Sequence, residues 1–449
     1  MTQALSVPAI SRQILKTRIF QVATAVVAAS AMLWTHPAFG APPTGPVPSV
    51  YSPLSSTAPI PTSAGLDKAI GSKADDRALG AFSMLVIDPV TEKTLFVEKS
   101  DRKRIPASVN KILTAAAALS ALGPGYRVTT QVKNEGEVVY LVGGGDPLMP
   151  RAKGPGSLKA LAQITARSLK VRGLKSISLI FDDSLFSGPA LGPQWKSSYP
   201  RLGVAAPVSA LTVDGARVRP GAMSRVSKPA KQAADLFAQR LRNQGIKVSK
   251  IRSGKTPAAA QTIASVQSQP VSSLVEVMIR DSDNDVAEIL AHLVGVRIAG
   301  DGSFAGGAAA MTRVLAGKGI NTADLKLADG SGLSTSNKVT AEVVAAVLTD
   351  MVRGDQPQWA AIATGLPIAA ETGTLEDRFN SKGTRAGAGV VLAKTGSLTG
   401  VSSLAGTVKD RDGRLLVFVM LGNKVPSLYG ARNSMDRIAA TLAKCGCTS

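Results

Sequence analysis

The chain has 449 residues, 45% hydrophobic and 18% charged, which is enough for two or three globular domains and excludes a wholly disordered protein. The formal net charge is +21, and the excess is local: Arg127 to Ala260 holds about 22 Lys plus Arg against about 7 Asp plus Glu. A basic surface of that kind favours polyanions such as nucleic acid, an anionic membrane or an acidic wall polymer, or else simply keeps the protein soluble. Two cysteines, Cys445 and Cys447 in "KCGCTS", exclude a disulfide framework, make a poor metal site and permit a cramped mutual bridge.

At the N-terminus, Arg12, Lys16 and Arg18 precede the apolar run "IFQVATAVVAASAMLW". Small residues Ala38 and Gly40 then stand before Ala41, the layout of a cleaved secretory signal over 1–40. The run is short for a spanning helix, so an uncleaved anchor is the lesser alternative. A protein outside the cytoplasm does not meet nucleic acid, which leaves the basic region another partner. Residues 41–65, rich in Pro, Ser and Thr, read as an extended, disordered linker.

"GAFSMLVIDPVTEKTLFVEKS" (Gly80 to Ser100) reads as a β-hairpin, and "IPASVNKILTAAAAL" (Ile105 to Leu119) as a helix entered through Pro106 and Ser108. Lys111 in its first turn opposes the helix dipole. Beyond Tyr126 short strands ("YRVTTQVKN", "EVVYLVGGG", "SISLIFDDS") mix with the basic helix "SLKALAQITARSLKVRG" and Pro-rich loops, the texture of a separate module. After "TIASVQSQP" the chain is helical through "VSSLVEVMIRDSDNDVAEILAHLVGV". It closes with strands "GVVLAKTGSLTG", "VSSLAGTVKD" and "RLLVFVMLGN" and a helix from about Ser434. The hairpin and the three closing strands suit one antiparallel sheet flanked by helices, an α+β fold. The division expected is 66–128 and 266–449 for the main domain, with an inserted basic domain at 129–265.

Of the two histidines, His36 lies in the signal region and His292 on an apolar helix, so a Ser-His-Asp triad or a His-based zinc site is poorly supported. "SGKT" at Ser253 lacks the glycine a phosphate loop needs, and "LVGGGDP" lacks dinucleotide-loop spacing. No cofactor or metal is expected. A hydrolase without histidine needs another base, and a lysine serves if its pKa is lowered. Ser108 and Lys111 stand one helical turn apart, and burial together with the positive end of the helix favours the neutral amine. Ser-x-x-Lys alone is weak, since Ser100 to Lys103 matches it in a polar turn. Ser108 gains weight from Ser282-Asp283-Asn284 between two helical stretches and Lys394-Thr395-Gly396-Ser397 on a strand.

Those three motifs, in that order, are what serine β-lactamases and penicillin-binding proteins carry. The chain further resembles the D-Ala-D-Ala carboxypeptidase/endopeptidase family of low-molecular-mass class C penicillin-binding proteins, peptidase family S13. The matching stretches include "LVGGGDPLM", "FDDSLFSGP", "PVSALTVDGARV", "LADGSGLSTSNKVT" and "GLPIAAETGTLEDRF". The resemblance implies a penicillin-binding, serine β-lactamase-like domain, with one inserted domain where larger relatives have two. It implies Ser108 as acyl-accepting nucleophile and Lys111 as its base, with Ser282 and Asn284 relaying the proton and holding the substrate amide. Lys394 and Thr395 would meet the substrate carboxylate, Gly396 would let a ligand approach the backbone, and the N–H groups of Ser108 and Ser397 would form an oxyanion hole. Asp146 and Arg378 would meet the charged end of a stem-peptide side chain, against the plainer reading of a turn Asp and a surface Arg. The implied partners are peptidoglycan stem peptides and, as covalent inhibitors, β-lactams. Two other readings compete: a β-lactamase using Glu371 in deacylation, and a non-catalytic wall-binding protein using the basic insertion on anionic wall polymers.

Overall fold

The computed structural model describes residues 54–448; the signal-like segment and most of the Pro-rich stretch lie outside the described residues. Five strands form the first sheet: β1 (Ala81–Asp88), β2 (Lys93–Glu98), β8 (Val391–Leu398), β9 (Val401–Lys409) and β10 (Leu415–Asn423). They lie in the order β2-β1-β10-β9-β8, antiparallel throughout. The alternation in β1 and β10 explains why both faces are covered. Phe82, Met84 and Val86 with Leu416, Phe418 and Met420 point to one side, where the helices Ser63–Ala74 and Leu428–Lys444 pack. Leu85 with Val417, Val419 and Leu421 points to the other, into a core built on the helices Asn110–Leu122, Val271–Arg280, Asn284–Ala299, Phe304–Ala316 and Ala341–Arg353. A strand buried on both faces reads as a near-continuous apolar run, which "LLVFVML" is.

A second sheet holds β3 (Arg127–Glu135), β4 (Val138–Val142), β5 (Ser176–Asp182), β6 (Lys247–Ser253) and β7 (Gln261–Pro270) in the order β6-β5-β4-β3-β7. β4, β5 and β6 run parallel, linked through the helices Leu158–Val171 and Pro229–Arg242, whose apolar faces share a core with Ile177, Leu179 and Val248. The sheet is therefore mixed. "TIASVQSQP", to which the sequence reading assigns no element, lies in strand β7, which pairs with β3. β6 carries lysines on a mostly exposed strand at the sheet edge, with Val248 its one buried residue, a pattern that hides its strand character.

Two segments differ from expectation. The end of the Pro/Ser/Thr-rich stretch is fixed: Arg414 donates to the Ser55 and Ala58 carbonyls at 2.8 and 3.2 Å, and a helix begins at Ser63 under a Thr62 cap. The last helix starts at Leu428, with Ser427 as cap, rather than near Ser434. Cys445 and Cys447 form a mutual disulfide with Cα atoms 5.0 Å apart, and the Cys447 carbonyl accepts the Thr62 N–H at 2.8 Å.

The Arg414 guanidinium, 1% exposed, grips the fully buried Asp88 carboxylate through bonds of 2.8 and 2.6 Å. Removing one partner of such a pair leaves an uncompensated buried charge. Asp88→Ala is expected to cost about 3–5 kcal/mol in denaturant unfolding, and Asp88→Ala with Arg414→Met to cost markedly less. Equal losses in the two variants would show that the pairing is not what the fold depends on.

Candidate functional site

Ser108 sits in a single 3-10 turn (Ala107–Val109) that runs straight into the helix Asn110–Leu122. The helical register brings Lys111 under Ser108, and the Lys111 amine is 2.9 Å from Ser108 Oγ. The same amine is 2.7 Å from Asn284 Oδ1 and 2.8 Å from the Ser331 carbonyl, and the residue is wholly buried. A carbonyl and an amide oxygen only accept, so a neutral amine gives its two hydrogens to them and turns its lone pair on Ser108. Burial pushes the Lys111 pKa down to about 8, against the attraction of Glu288, Asp329, Asp283 and Asp285.

Asn284 opens the helix Asn284–Ala299, where Asp283 caps the first turn by accepting from the N–H groups of Asp285 and Val286. Asn284 Nδ2 donates to the Val204 carbonyl at 2.7 Å, so the amide oxygen is fixed toward Lys111. Asp285 is clamped from the second-sheet segment: Arg225 Nε lies 2.9 Å from its carboxylate and the Ala206 N–H 2.6 Å. Ser282 stands at φ +57° and Ala107 at φ +48°, a conformation that costs a non-glycine residue about 1–2 kcal/mol. Both outliers flank the reactive groups.

The wall that carries Ser331 was not visible as a functional element from side-chain motifs, because it contributes backbone. Three side chains of the Ser108 helix hold three successive carbonyls: Asn110 on Asp329, Thr114 on Gly330 and Lys111 on Ser331. From the facing helix the Glu288 carboxylate accepts the N–H groups of Gly330 and Ser331 at 3.0 and 2.7 Å. Asp329 turns inward and takes Trp195 Nε1, the Gly332 and Ser334 N–H groups and Asn337 Nδ2. Gly332, at φ +85°, has no room for a Cβ, which would lie 1.9 Å from the Ala107 carbonyl oxygen. The turn residues of "ADGSGLS" signal a loop but not its role, and the stretch enters the sequence reading only through the resemblance it carries. Burial and the Asp329 carboxylate push Glu288 up to about 8.

The third wall is β8, at the edge of the first sheet. A Cβ on Gly396 would come within 2.7 Å of the Pro106 carbonyl oxygen and 3.1 Å of Ser108 N, so glycine permits strand and turn to touch. Ala393 donates its N–H away from β9 to the Pro367 carbonyl. With two-residue alternation the backbone groups of Thr395 and Ser397 face the same open edge. Thr395 Oγ1 donates to Thr374 Oγ1 at 2.8 Å, and Arg432 reaches Ser397 Oγ at 3.0 Å. Lys394 is wholly buried and donates to the Thr395 carbonyl at 2.9 Å; burial and the nearby Lys111 hold its amine well below the usual lysine range.

The structure thus brings together Ser108, Lys111 and Asn284 by direct bonds, with Gly396 packed against the Ser108 turn and Lys394 close enough to Lys111 to repel it. Asp146 and Arg378 have other partners. Asp146 is 4% exposed, caps the Leu148 N–H at 2.9 Å and is pushed up to about 6 by burial. Arg378 is ion-paired with Asp436. Glu371 is exposed in a turn and has no hydrogen bond to Ser108 or Lys111. His292 is structural, its Nδ1 2.8 Å from the Glu288 carbonyl and its ring packed on Phe186 and Phe304. Among the described residues no group of His, Cys, Asp and Glu is arranged to hold a metal.

Glu288→Gln tests how this site is tuned. Glutamine leaves one of the two backbone N–H groups facing an amide NH2, at a cost of about 1–3 kcal/mol in unfolding. It also removes the largest attraction that raises the Lys111 pKa. The midpoint of base-dependent serine reactivity is therefore expected below about 8 in the variant, read from the pH dependence of acylation by a chromogenic acylating probe. An unmoved midpoint would separate Glu288 from Lys111.

Comparison with known proteins places this geometry. The model of the D-Ala-D-Ala carboxypeptidase 3 (S13) family matches residues 66–225 and 219–444. A carboxypeptidase of Mycobacterium tuberculosis is 36% identical over 424 residues, covering 91% of this chain and 90% of that protein. The D-alanyl-D-alanine carboxypeptidase of an Actinomadura species is 30% identical over 461 residues, covering 82% and 83%. Among solved structures, penicillin binding protein 4 of Haemophilus influenzae shares the fold at a TM-score of 0.70 and 23% identity, over 83% of this chain and 99% of that one. The same protein complexed with a β-lactam superposes at a TM-score of 0.66 with 22% identity, over 83% and 99% of the chains.

Proposed function

The chain belongs to the S13 family of D-Ala-D-Ala carboxypeptidases, and on that footing we propose how its own residues carry out the hydrolysis. The observation that carries the reading is the buried Lys111 amine 2.9 Å from Ser108 Oγ. An extended peptide lies along the open edge of β8, an added strand held by main-chain bonds. Its terminal carboxylate meets the Thr395 hydroxyl and restores the charge of Lys394, whose ammonium lacks a counter-ion until an anion arrives. Asn284, held by Lys111 and Val204, stands where it orients the substrate amide.

Lys111 takes the Ser108 proton as Oγ attacks the carbonyl carbon of the penultimate D-Ala. The N–H groups of Ser108 and Ser397 receive the oxygen that becomes negative. The proton passes, with Ser282 as relay, to the leaving nitrogen; the C–N bond breaks and terminal D-Ala departs. Water, deprotonated by the same amine, then cleaves the acyl-serine ester. A β-lactam enters the first half of this sequence and leaves the serine acylated, as befits a fold shared with a protein solved in a β-lactam complex. Hydrolysis of a wall cross-link uses identical steps on a branched substrate. The work is done outside the cytoplasm, where peptidoglycan lies; among the described residues no helix is long and apolar enough to cross a membrane.

Ser108→Ala is expected to abolish D-Ala release from a diacyl-D-Ala-D-Ala peptide and to leave no penicillin adduct by mass spectrometry. Lys111→Arg keeps a cation but no usable base and is expected to lower kcat/KM by about 10²–10⁴. Because neutral Lys111 is the active form, the wild-type rate is expected to rise with pH and to level above about 8. An adduct mapped to another serine, or a rate that falls between pH 6 and 8, would defeat the assignment.

We also propose that the inserted region from about 129 to 265 meets anionic wall polymer through its exposed cations. Lys159, Arg167, Lys170, Lys231, Lys247 and Lys250 are all exposed there. Retention on purified wall material is expected to fall sharply between low and high salt, since exposed charges are screened. Reversing four of these charges is expected to remove retention while D-Ala release persists; retention that ignores salt would refute the idea.

A further inference from the structure

The first sheet has a second edge, and nothing in the catalytic scheme uses it. β2 pairs with β1 and with no other described strand, so its outer N–H and C=O groups are open. The edge lies four strands from β8, roughly 19 Å across the sheet. Here the helix Ala341–Arg353, which packs over β1 and β10, stops short of covering β2. Leu85 and Ile87 face Val97 and Thr94 across the pairing, and Val97 is 55% exposed. The result is a groove of about 440 Å³, floored by those side chains and Ala346 and walled by Glu342, Thr349 and Asp350.

In a chain of net charge +21, this groove is acidic. Glu342 accepts from Ser100 Oγ at 2.8 Å through one oxygen. Asp350 is pushed up by burial and by the carboxylates of Asp355 and Glu92, so it lacks a sufficient counter-charge. Arg353, the cation that draws on Asp350 among the described residues, is engaged by Glu92 and Asp355. The carbonyls at the C-terminal end of the helix add partial negative charge beside Thr349 and Asp350. Thr349 is the independent observation. It is 7% exposed, lines the groove, and its buried hydroxyl has no hydrogen-bond partner among the described residues. A buried hydroxyl left without a partner is unfavourable until something reaches it.

We propose that this groove binds a short extended peptide laid along the free edge of β2, with a lysine-type side chain inserted between Glu342, Thr349 and Asp350. Main-chain bonds to the strand edge supply register and affinity, and alternate side chains fall on the face that holds Val97. The apolar floor takes the methylene stem; the hydroxyl and carboxylates take the ammonium. The volume and the open edge favour a peptide over a free amine, which would fill the pocket but leave the strand unpaired.

The test uses the full chain and a fluorescent acetyl-Val-Lys-Val-Lys-Val-amide, followed by anisotropy. The same peptide with norleucine for lysine is expected to bind at least about tenfold more weakly. Asp350→Asn and Glu342→Gln are each expected to weaken the lysine peptide by a similar factor, with D-Ala release and penicillin acylation unchanged. Equal binding of the two peptides, or no binding by either, would overturn the proposal. So would displacement by n-butylamine at concentrations equal to the peptide's own, which would show a small-amine pocket instead.

Discussion

An amine stripped of water at position 111 is what the walls of the cleft are built around. Lysine is almost never wholly buried unless its nitrogen is satisfied. Here three oxygens from three separate segments satisfy it: a hydroxyl one turn back, an amide from the helix Asn284–Ala299 and a carbonyl from the loop at Ser331. The surrounding carboxylates of Glu288, Asp329, Asp283 and Asp285 keep the group from being expelled, while its burial keeps it from being a permanent cation. The balance between those two effects, rather than either alone, sets the amine's pKa near 8, which is what the proposed mechanism asks of a base.

Much of the rest follows as support. Glu288 and the side chains Asn110 and Thr114 grip the same loop from opposite sides, so the Ser331 carbonyl cannot drift. Asn284 is tethered through Val204 and its neighbour Asp285 through Arg225 and Ala206, residues that reach in from the second-sheet segment. The second-sheet segment is thereby a buttress of the cleft as well as a stretch rich in exposed cations. Strain at Ala107 is tolerated where the residue is wholly buried, and at half-buried Ser282 where the Asp283 cap fixes the start of the next helix.

How much of this was legible in the sequence depends on which atoms do the work. Ser108 and Lys111 were readable because helical spacing puts them on one face. The motifs at Ser282 and Lys394 were readable by company and local pattern. The five-stranded sheet followed from the apolar, β-branched runs of the opening hairpin and the closing strands. The loop at Asp329 to Ser334 acts through backbone groups, which leave turn residues but no chemical signature. β6 escaped notice because lysines interrupt its apolar pattern, and β7 because its alternation is carried mostly by small and polar residues. The pairing of Arg378 with Asp436, and the burial of Asp146, depend on contacts far apart in the chain that no local pattern encodes.

The joining of Thr62 to Cys447, with Arg414 gripping the carbonyls of Ser55 and Ala58, has a mechanical consequence. A pull transmitted along the N-terminal segment meets those contacts and the buried Asp88 before it reaches any residue of the cleft. They lie in turns and at the ends of strands and helices, and none of them is bonded to Ser108 or Lys111. An enzyme tethered by that end to a stressed cell envelope would carry the load through its sheet and its terminal helices, and keep its reactive groups in register.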